Sequence, residues 1–174
     1  MKIRNLLICF VVLACYNYQV HSQEKSASEI LEQAYTKAKA ESKNVFVIFH
    51  ASWCGWCKKM DKNMNDPLCK DLFNENYIIE HLTVKESANN KHLENPGAQD
   101  VLEQYHGDKS GIPFWLIFDS DGNLLTDSFN SSKQNLGCPA SEEEVAVFIE
   151  KLKLTSKLTD EDLSIISEKF ILKK

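Results

Sequence analysis

The sequence predicts an α/β fold, in which a central mixed β-sheet is flanked by helices and followed by an extra C-terminal helix. Residues 45–49 and 112–118 are continuous runs of β-branched, aliphatic and aromatic side chains, apart from one proline, as in strands covered on both faces. Segments with helical hydrophobic spacing alternate with these strands. The chain has 174 residues, of which 43% are hydrophobic, so one packed core can form.

The first predicted elements are a helix, a strand and a second helix. A capping box begins at Ser26, and apolar residues recur at helical spacing to about residue 43. The apolar run at 45–49 is the first strand. Residues 58–65 then have a helical pattern, which leads directly from the segment that carries two closely spaced cysteines.

The middle of the chain is less regular. After Asp66 and Pro67, an amphipathic pattern resumes with Leu68, and residues 77–84 are predicted to form a second strand. Residues 85–97 are polar without a period, which is typical of a loop. Residues 98–106 are predicted to form a short helix.

The C-terminal part is predicted to contain a hairpin and two helices. The strand at 112–118 precedes the turn sequence at 119–123, and Leu124 begins the return strand. Ser141 and Thr159 each begin a capped helix. The last helix, residues 159–172, has an apolar stripe that we expect to pack on the domain; docking to a partner is the alternative.

Residues 1–22 have the pattern of a signal peptide, which leaves residues 23–174 as a single domain. A basic head is followed by ten uncharged residues, too short a run to span a bilayer, and then by small residues at the cleavage positions. The alternatives are a buried N-terminal helix or a lipoprotein anchored through Cys15, since residues 12–15 form a weak lipobox. The sequence therefore predicts an exported protein of the bacterial periplasm.

Charge and cysteine content narrow the possible functions. The net charge of −5 gives no support to nucleic-acid binding. Removal of the signal peptide leaves four cysteines, and only Cys54 and Cys57 are closely spaced. Such a pair can be a redox centre, a structural disulfide or half of a zinc site. The zinc interpretation lacks a second pair or a histidine pair, so the redox interpretation is favoured.

The position of the pair supports redox chemistry. The cysteines open a helix after a buried strand, where free N–H groups and the helix dipole favour a thiolate. Lys58 and Lys59 add positive charge. A lowered thiol pKa would make Cys54 the attacking sulfur, and Cys57, expected to be the more buried of the two, would resolve the mixed disulfide.

The motif W-C-G-W-C-K-K-M at residues 53–60, with Ile112 and Pro113 before a strand, resembles the thioredoxin superfamily and especially its exported bacterial members. The matching element order covers residues 25–153. The resemblance implies a thioredoxin-like fold, a thiol–disulfide oxidoreductase activity and a cis proline at Pro113 beside the disulfide. It also implies that Ile112 binds the substrate chain through its backbone, and that Trp53 and Trp56 form an apolar rim.

The chain departs from thioredoxins at two positions. The buried acid that thioredoxins carry six residues before the first cysteine is replaced by Ile48, and Gly55 and Trp56 replace the Gly-Pro pair. These differences leave the direction of electron transfer open. Cys69 and Cys138 could form a structural disulfide or remain buried free thiols, and we expect no firm second bond.

The leading functional hypothesis is an exported oxidoreductase that uses Cys54 and Cys57 and needs no metal or organic cofactor. Reduction or isomerisation of disulfides is favoured over net oxidation. The expected partners are protein thiols and disulfides, with a membrane-bound electron donor as a candidate, and membrane contact only if Cys15 is lipidated. The alternatives are a non-catalytic binding module around Trp53, Trp56 and Pro113, or a metal carrier that adds His50 to the two cysteines.

Overall fold

The computed structural model describes residues 24–172. The predicted signal peptide and Cys15 lie outside these residues. Within them, no helix combines the length and the apolar character needed to cross a bilayer.

The order of helices and strands matches the predicted order. The elements are α1 (Ala27–Glu41), β1 (Asn44–His50), α2 (Gly55–Met64), α3 (Lys70–Asn76), β2 (Tyr77–Thr83), a 3₁₀ helix (Ala88–Leu93), α4 (Ala98–Gln104), β3 (Phe114–Phe118), β4 (Leu124–Asp127), α5 (Glu142–Thr155) and α6 (Asp160–Phe170).

The four strands form one mixed sheet in the order β2-β1-β3-β4. β1 pairs with β2 in parallel and with β3 antiparallel, and β3 and β4 form the predicted antiparallel hairpin. In the parallel pair His50 lies opposite Thr83. Because the carboxyl ends of parallel strands meet at one edge of a sheet, the segments that follow β1 and β2 lie side by side.

Alternate residues of the central strands supply two hydrophobic cores, one on each face of the sheet. Phe46 and Trp115 belong to the core that is covered by α2, α3, α5 and α6. Val47 and Leu116 belong to the core that is covered by α1 and α4. β1 and β3 are therefore buried on both faces, as their continuous apolar sequences predicted.

The predicted C-terminal helix, α6, packs on the domain. Its residues Leu163, Ile166 and Phe170 are buried. The Phe170 ring lies 5.1 Å from the ring of Phe148 in α5, measured between centroids. The apolar stripe is therefore part of the hydrophobic core of the domain, as the sequence predicted.

Three details differ from the sequence prediction. Leu68 is 69% exposed rather than part of an amphipathic helix, because it lies in the turn where its N–H donates to the Asp66 carboxylate. The predicted loop at 85–97 contains the 3₁₀ helix. β3 begins at Phe114 instead of residue 112, because Pro113 has no N–H to donate to a neighbouring strand.

Candidate active site

Cys54 and Cys57 lie at the N-terminus of α2, directly after the carboxyl end of β1. Cys54 is the N-cap residue of the helix, and its N–H donates to the carbonyl of Ala51 at 3.0 Å, which closes the connecting turn. The two sulfurs form a disulfide of 2.04 Å, with the Cα atoms 5.3 Å apart. The local fold thus places a disulfide where the helix presents its unpaired N–H groups.

One backbone hydrogen bond places positive potential at the sulfur of Cys54. The N–H of Cys57 donates to Sγ of Cys54 at 3.0 Å. The first turn of α2 contains no acidic residue, so no neighbouring carboxylate in that turn offsets the positive end of the helix dipole. When the disulfide is reduced, the same N–H and dipole favour a thiolate at Cys54 over a thiol.

The expectation that Cys57 would be the more buried cysteine is wrong for this oxidised state. Each of the two residues is only 2% exposed. The reason is that Ile112 packs against Ala51 and both cysteines as one small apolar cluster. A difference in burial therefore does not distinguish the two sulfurs while they are bonded.

The segment before β3 lies against the disulfide. Sγ of Cys54 is 3.5 Å from the carbonyl oxygen of Ile112. The peptide bond between Ile112 and Pro113 is cis, and Pro113 is buried. The side-chain amide of Asn135 donates to the carbonyls of Gly111, at 2.8 Å, and of Pro113, at 3.1 Å. These bonds hold the segment in place from the side of the loop after β4.

Both tryptophans of the motif are at the surface. Trp53 is 58% exposed and Trp56 is 52% exposed, which excludes a purely core-packing role for either ring. The indole N–H of Trp53 donates to the backbone carbonyl of Lys85 at 2.9 Å. The Trp53 ring is therefore exposed but oriented by the segment that follows β2.

A carboxylate that the sequence analysis missed binds the turn before the disulfide. The Glu86 side chain accepts from the Ser52 N–H at 2.5 Å and from the Ser52 hydroxyl at 2.8 Å, and Glu86 is 4% exposed. The bond from the Ser52 N–H keeps the pKa of Glu86 below its ordinary value, although burial opposes this. The parallel pairing of β1 and β2 could have indicated the position, since residues just after β2 must lie beside those just after β1.

The side chain of His50, at the end of β1, contacts residues of the neighbouring strand β2. Its Nε2 lies 3.2 Å from the Thr83 hydroxyl, and its ring lies 5.0 Å from that of His81, centroid to centroid. His81 in turn contacts the Asp61 carboxylate at 2.8 Å. Burial, aided by His81, lowers the pKa of His50, so the ring is neutral at pH 7. In residues 24–172, no three His, Cys, Asp or Glu side chains are grouped so that they could hold a metal ion.

The other two cysteines of the described chain are free thiols in the core. Cys69 and Cys138 are both buried and belong to the same hydrophobic core, on the α2 side of the sheet. Burial raises the pKa of the Cys69 thiol, and it raises that of Cys138 to about 12. Both thiols are therefore protonated and poorly nucleophilic at neutral pH.

A protein-family model described as thioredoxin-like matches residues 27–120, just over half of the chain and both bonded cysteines. A relative, the thiol:disulfide interchange protein DsbD of Salmonella typhi, is 29% identical over 103 residues. That alignment covers 59% of this chain and 16% of DsbD, so the chain spans about a sixth of the length of the curated relative it matches.

The chain is also similar in fold to solved structures of bacterial proteins, two of which are a disulphide isomerase and a DsbD domain. The disulphide isomerase of Xylella fastidiosa Temecula1 is 19% identical, with 88% of this chain and 93% of that chain covered and a TM-score of 0.49. The oxidised C-terminal domain of Neisseria meningitidis DsbD is 24% identical, with 60% and 84% covered and a TM-score of 0.43.

Proposed function

We propose that this chain, which belongs to the thioredoxin-like family, is a thiol–disulfide oxidoreductase that exchanges disulfides with protein substrates through Cys54 and Cys57. One observation carries the proposal: the Cys57 N–H lies 3.0 Å from Sγ of Cys54 at a helix N-terminus. This arrangement stabilises a thiolate on the first cysteine and keeps the second within bonding distance.

The proposed reaction has two steps. In the reduced protein, the Cys54 thiolate attacks one sulfur of a substrate disulfide, forms a mixed disulfide and releases the other substrate sulfur as a thiolate. Cys57 then loses its proton and attacks Sγ of Cys54, which re-forms the bond seen here and releases the second substrate thiolate. The substrate gains two electrons and the protein loses two, so a further thiol partner must reduce the protein again. A membrane-bound electron donor is one candidate partner.

The substrate chain is proposed to bind along Ile112 and Pro113, between the rings of Trp53 and Trp56. The carbonyl of Ile112 lies 3.5 Å from Sγ of Cys54, so an extended chain bonded to that backbone would hold its own sulfur next to Cys54. Trp53 and Trp56, on either side of Cys54 in the sequence, are both more than half exposed and would provide apolar surface for that chain. No metal or organic cofactor is required for these steps.

Reduction or isomerisation is proposed in preference to net oxidation. The carboxylate of Glu86 is bonded to Ser52, two residues before Cys54, and its negative charge opposes formation of a nearby thiolate. A dithiol with a less stable reduced form is a stronger reductant. Glu86 therefore shifts the pair toward donating electrons.

Export to the periplasm is also proposed, and it is supported by the sequence pattern of residues 1–22. Cell fractionation and N-terminal sequencing of the purified protein test it. Cleavage after Ser22 is the expected result. A lipid-modified Cys15 would replace this assignment with that of an anchored lipoprotein, and an intact N-terminus in the cytoplasmic fraction would contradict export.

The proposed activity is tested with insulin reduction in the presence of dithiothreitol. The wild-type protein should accelerate the reaction, and Cys54→Ser should reduce the acceleration by roughly a thousandfold or more, since the attacking sulfur is lost. Cys69→Ala is the matched control and should remain within about twofold of wild type. Activity of Cys54→Ser equal to wild type would show that this cysteine is not the nucleophile.

The direction of transfer is tested by the reduction potential of the Cys54–Cys57 pair, measured by equilibration with glutathione. A reductase or isomerase should have a potential below roughly −180 mV. A potential near about −120 mV, which belongs to a strong oxidant, would overturn this part of the proposal.

A binding module that holds clients without turnover is the second candidate, because both tryptophans are more than half exposed. Cys57→Ser separates the two functions. An oxidoreductase with this variant cannot resolve its intermediate and should accumulate covalent mixed disulfides on Cys54. A protein that only binds its clients would give none.

A further inference from the structure

Lys85 connects three parts of the active site. It lies just beyond β2, with a backbone φ of 54°, a left-handed conformation that non-glycine residues seldom adopt. Its ammonium donates to the carbonyls of Asp108, at 2.9 Å, and of Ser110, at 2.6 Å. Its own carbonyl accepts the indole N–H of Trp53 at 2.9 Å. One residue therefore contacts both the tryptophan beside Cys54 and the loop that leads into Ile112.

The loop that Lys85 holds is the approach to the proposed substrate-binding backbone. Gly111 follows Ser110, and Ile112 is the next residue, so the lysine acts two residues before the carbonyl that contacts Cys54. Asn135 binds the same segment further along, at Gly111 and Pro113. Two side chains from distant parts of the chain thus hold the segment, Lys85 from just after β2 and Asn135 from the loop after β4.

The contacts of Lys85 are unusual for a lysine. The residue is half-buried, and burial lowers the pKa of its ammonium. Among residues 24–172, no carboxylate lies within ion-pair distance of it, and its two acceptors are backbone carbonyls. The negative charge of Asp108 offsets only part of the cost of burying this ammonium, since the pKa of Lys85 stays below its ordinary value.

Glu86, the residue after Lys85, also contacts a segment of the active site. Glu86 binds Ser52, so the dipeptide of Lys85 and Glu86 contacts the turn before Cys54 with one side chain and the loop before Ile112 with the other. The relative position of these two segments determines where a bound substrate chain lies with respect to the attacking sulfur. A large substrate contacts both segments, whereas a small one does not. Binding of a large substrate should therefore depend more strongly on a bond that fixes their relative position.

We propose that Lys85 is a positioning residue for protein substrates, which holds the loop at 108–111 and the Trp53 ring in the arrangement that an extended disulfide-containing chain requires. This inference rests on the proposed function. It predicts that loss of the ammonium impairs binding of a protein disulfide while the intrinsic reactivity of Cys54 is unchanged. A merely stabilising role would affect both kinds of substrate equally or neither.

The experiment compares Lys85→Met with Lys109→Met. Methionine keeps most of the apolar stem and removes the charge and donors; Lys109 is an exposed lysine of the same loop and is the matched control. Each variant is assayed with insulin as the protein disulfide and with a small aromatic disulfide. For Lys85→Met we expect KM for insulin to rise about tenfold, as for the loss of a charge-assisted hydrogen bond. The rate with the small disulfide and the reduction potential should stay within about twofold of wild type.

Further variants keep the test decisive if Lys85→Met does not fold. Lys85→Gln retains one neutral donor and should raise KM for insulin by roughly threefold, and Lys85→Arg, which retains charge and donors, should come closer to wild type. The proposal is overturned if insulin KM is the same in the Lys85 and Lys109 variants, or if both disulfides react more slowly by the same factor. A wild-type protein that fails to reduce insulin would instead overturn the proposed function itself.

Discussion

Two cysteines of this molecule are N-cap residues of consecutive helices, but one is bonded in a disulfide and the other is a free thiol. Cys54 precedes α2 in an extended conformation, and its sulfur accepts the Cys57 N–H. Cys69 precedes α3 in a helical conformation, and its side chain makes no capping hydrogen bond. The residues are 2% and 0% exposed, so burial does not distinguish them. What differs is whether the helix N–H groups can reach the sulfur.

An N-cap position is therefore not enough for a cysteine sulfur to accept a hydrogen bond from the helix N–H groups. The extended backbone of Cys54 directs its sulfur toward the first turn of the helix, as serine or aspartate does at other N-caps. The sulfur of Cys69 is instead part of the apolar core, and desolvation raises its thiol pKa. The sulfur at the α2 terminus thus receives a backbone N–H, whereas the sulfur at the α3 terminus lies among apolar side chains.

Alkylation tests most directly whether the two N-cap cysteines differ in reactivity. In the reduced protein at pH 7, iodoacetamide should modify Cys54 at least about a hundredfold faster than Cys69 or Cys138, because the reaction requires a thiolate and burial raises the thiol pKa of the other two. Mass spectrometry of tryptic peptides measures the three rates. The same reaction in urea is the control, where the rates should converge. Similar rates in the folded protein would mean that the N-terminus of α2 does not activate Cys54.

Serine substitution tests the same difference between the two cysteines through the stability of the protein. Under reducing conditions, Cys54→Ser should change the free energy of unfolding by less than about 1 kcal/mol, because a serine hydroxyl also accepts an N–H at an N-cap. Cys69→Ser should lower it by about 1–3 kcal/mol, since the hydroxyl would be buried without a partner. Urea denaturation measures both changes. Cys69→Ala, which buries no polar atom, should lose less than Cys69→Ser; a larger loss would identify volume as the cause.

The features predicted from sequence are those that local patterns determine. The capping boxes at Ser26 and Thr159 are both present, since each depends on residues three positions apart. The hydrophobic pattern did not predict that the Leu68 side chain is exposed, because Leu68 lies in a turn whose geometry depends on the hydrogen bond to Asp66. Lys85 and Glu86 stood in a polar segment without a period, and their contacts depend on the pairing of β1 with β2, which brings distant segments together.

The pH dependence of folding stability should show the smallest effect. It distinguishes His50, near the N-terminus of α2, from Asp66, near the N-terminus of α3, because the two groups titrate in different pH ranges. His50, at the end of β1 below the disulfide, has a pKa lowered from 6.5, mainly by burial. The unfolded chain therefore takes up this proton first, so stability is complete above about pH 6.5 and falls as the pH drops through the folded-state pKa. Near Cys69, the bond from Lys169 lowers the pKa of Asp66 from 3.8, so its contribution is lost only as the pH falls below that value.

Urea midpoints measured from pH 8 to pH 3 should therefore fall in two stages. His50→Gln should flatten the stage below pH 6.5, because the group that protonates on unfolding is absent. His92→Gln is the matched control, since that histidine is exposed on the 3₁₀ helix, and it should leave the stage in place. Asp66→Asn should reduce the acidic stage without removing it, because hydrogen bonds also lower the pKa values of Glu86 and Asp119. If His50→Gln and His92→Gln give the same curve, the neutral ring of His50 is not what makes the end of β1 sensitive to mild acid.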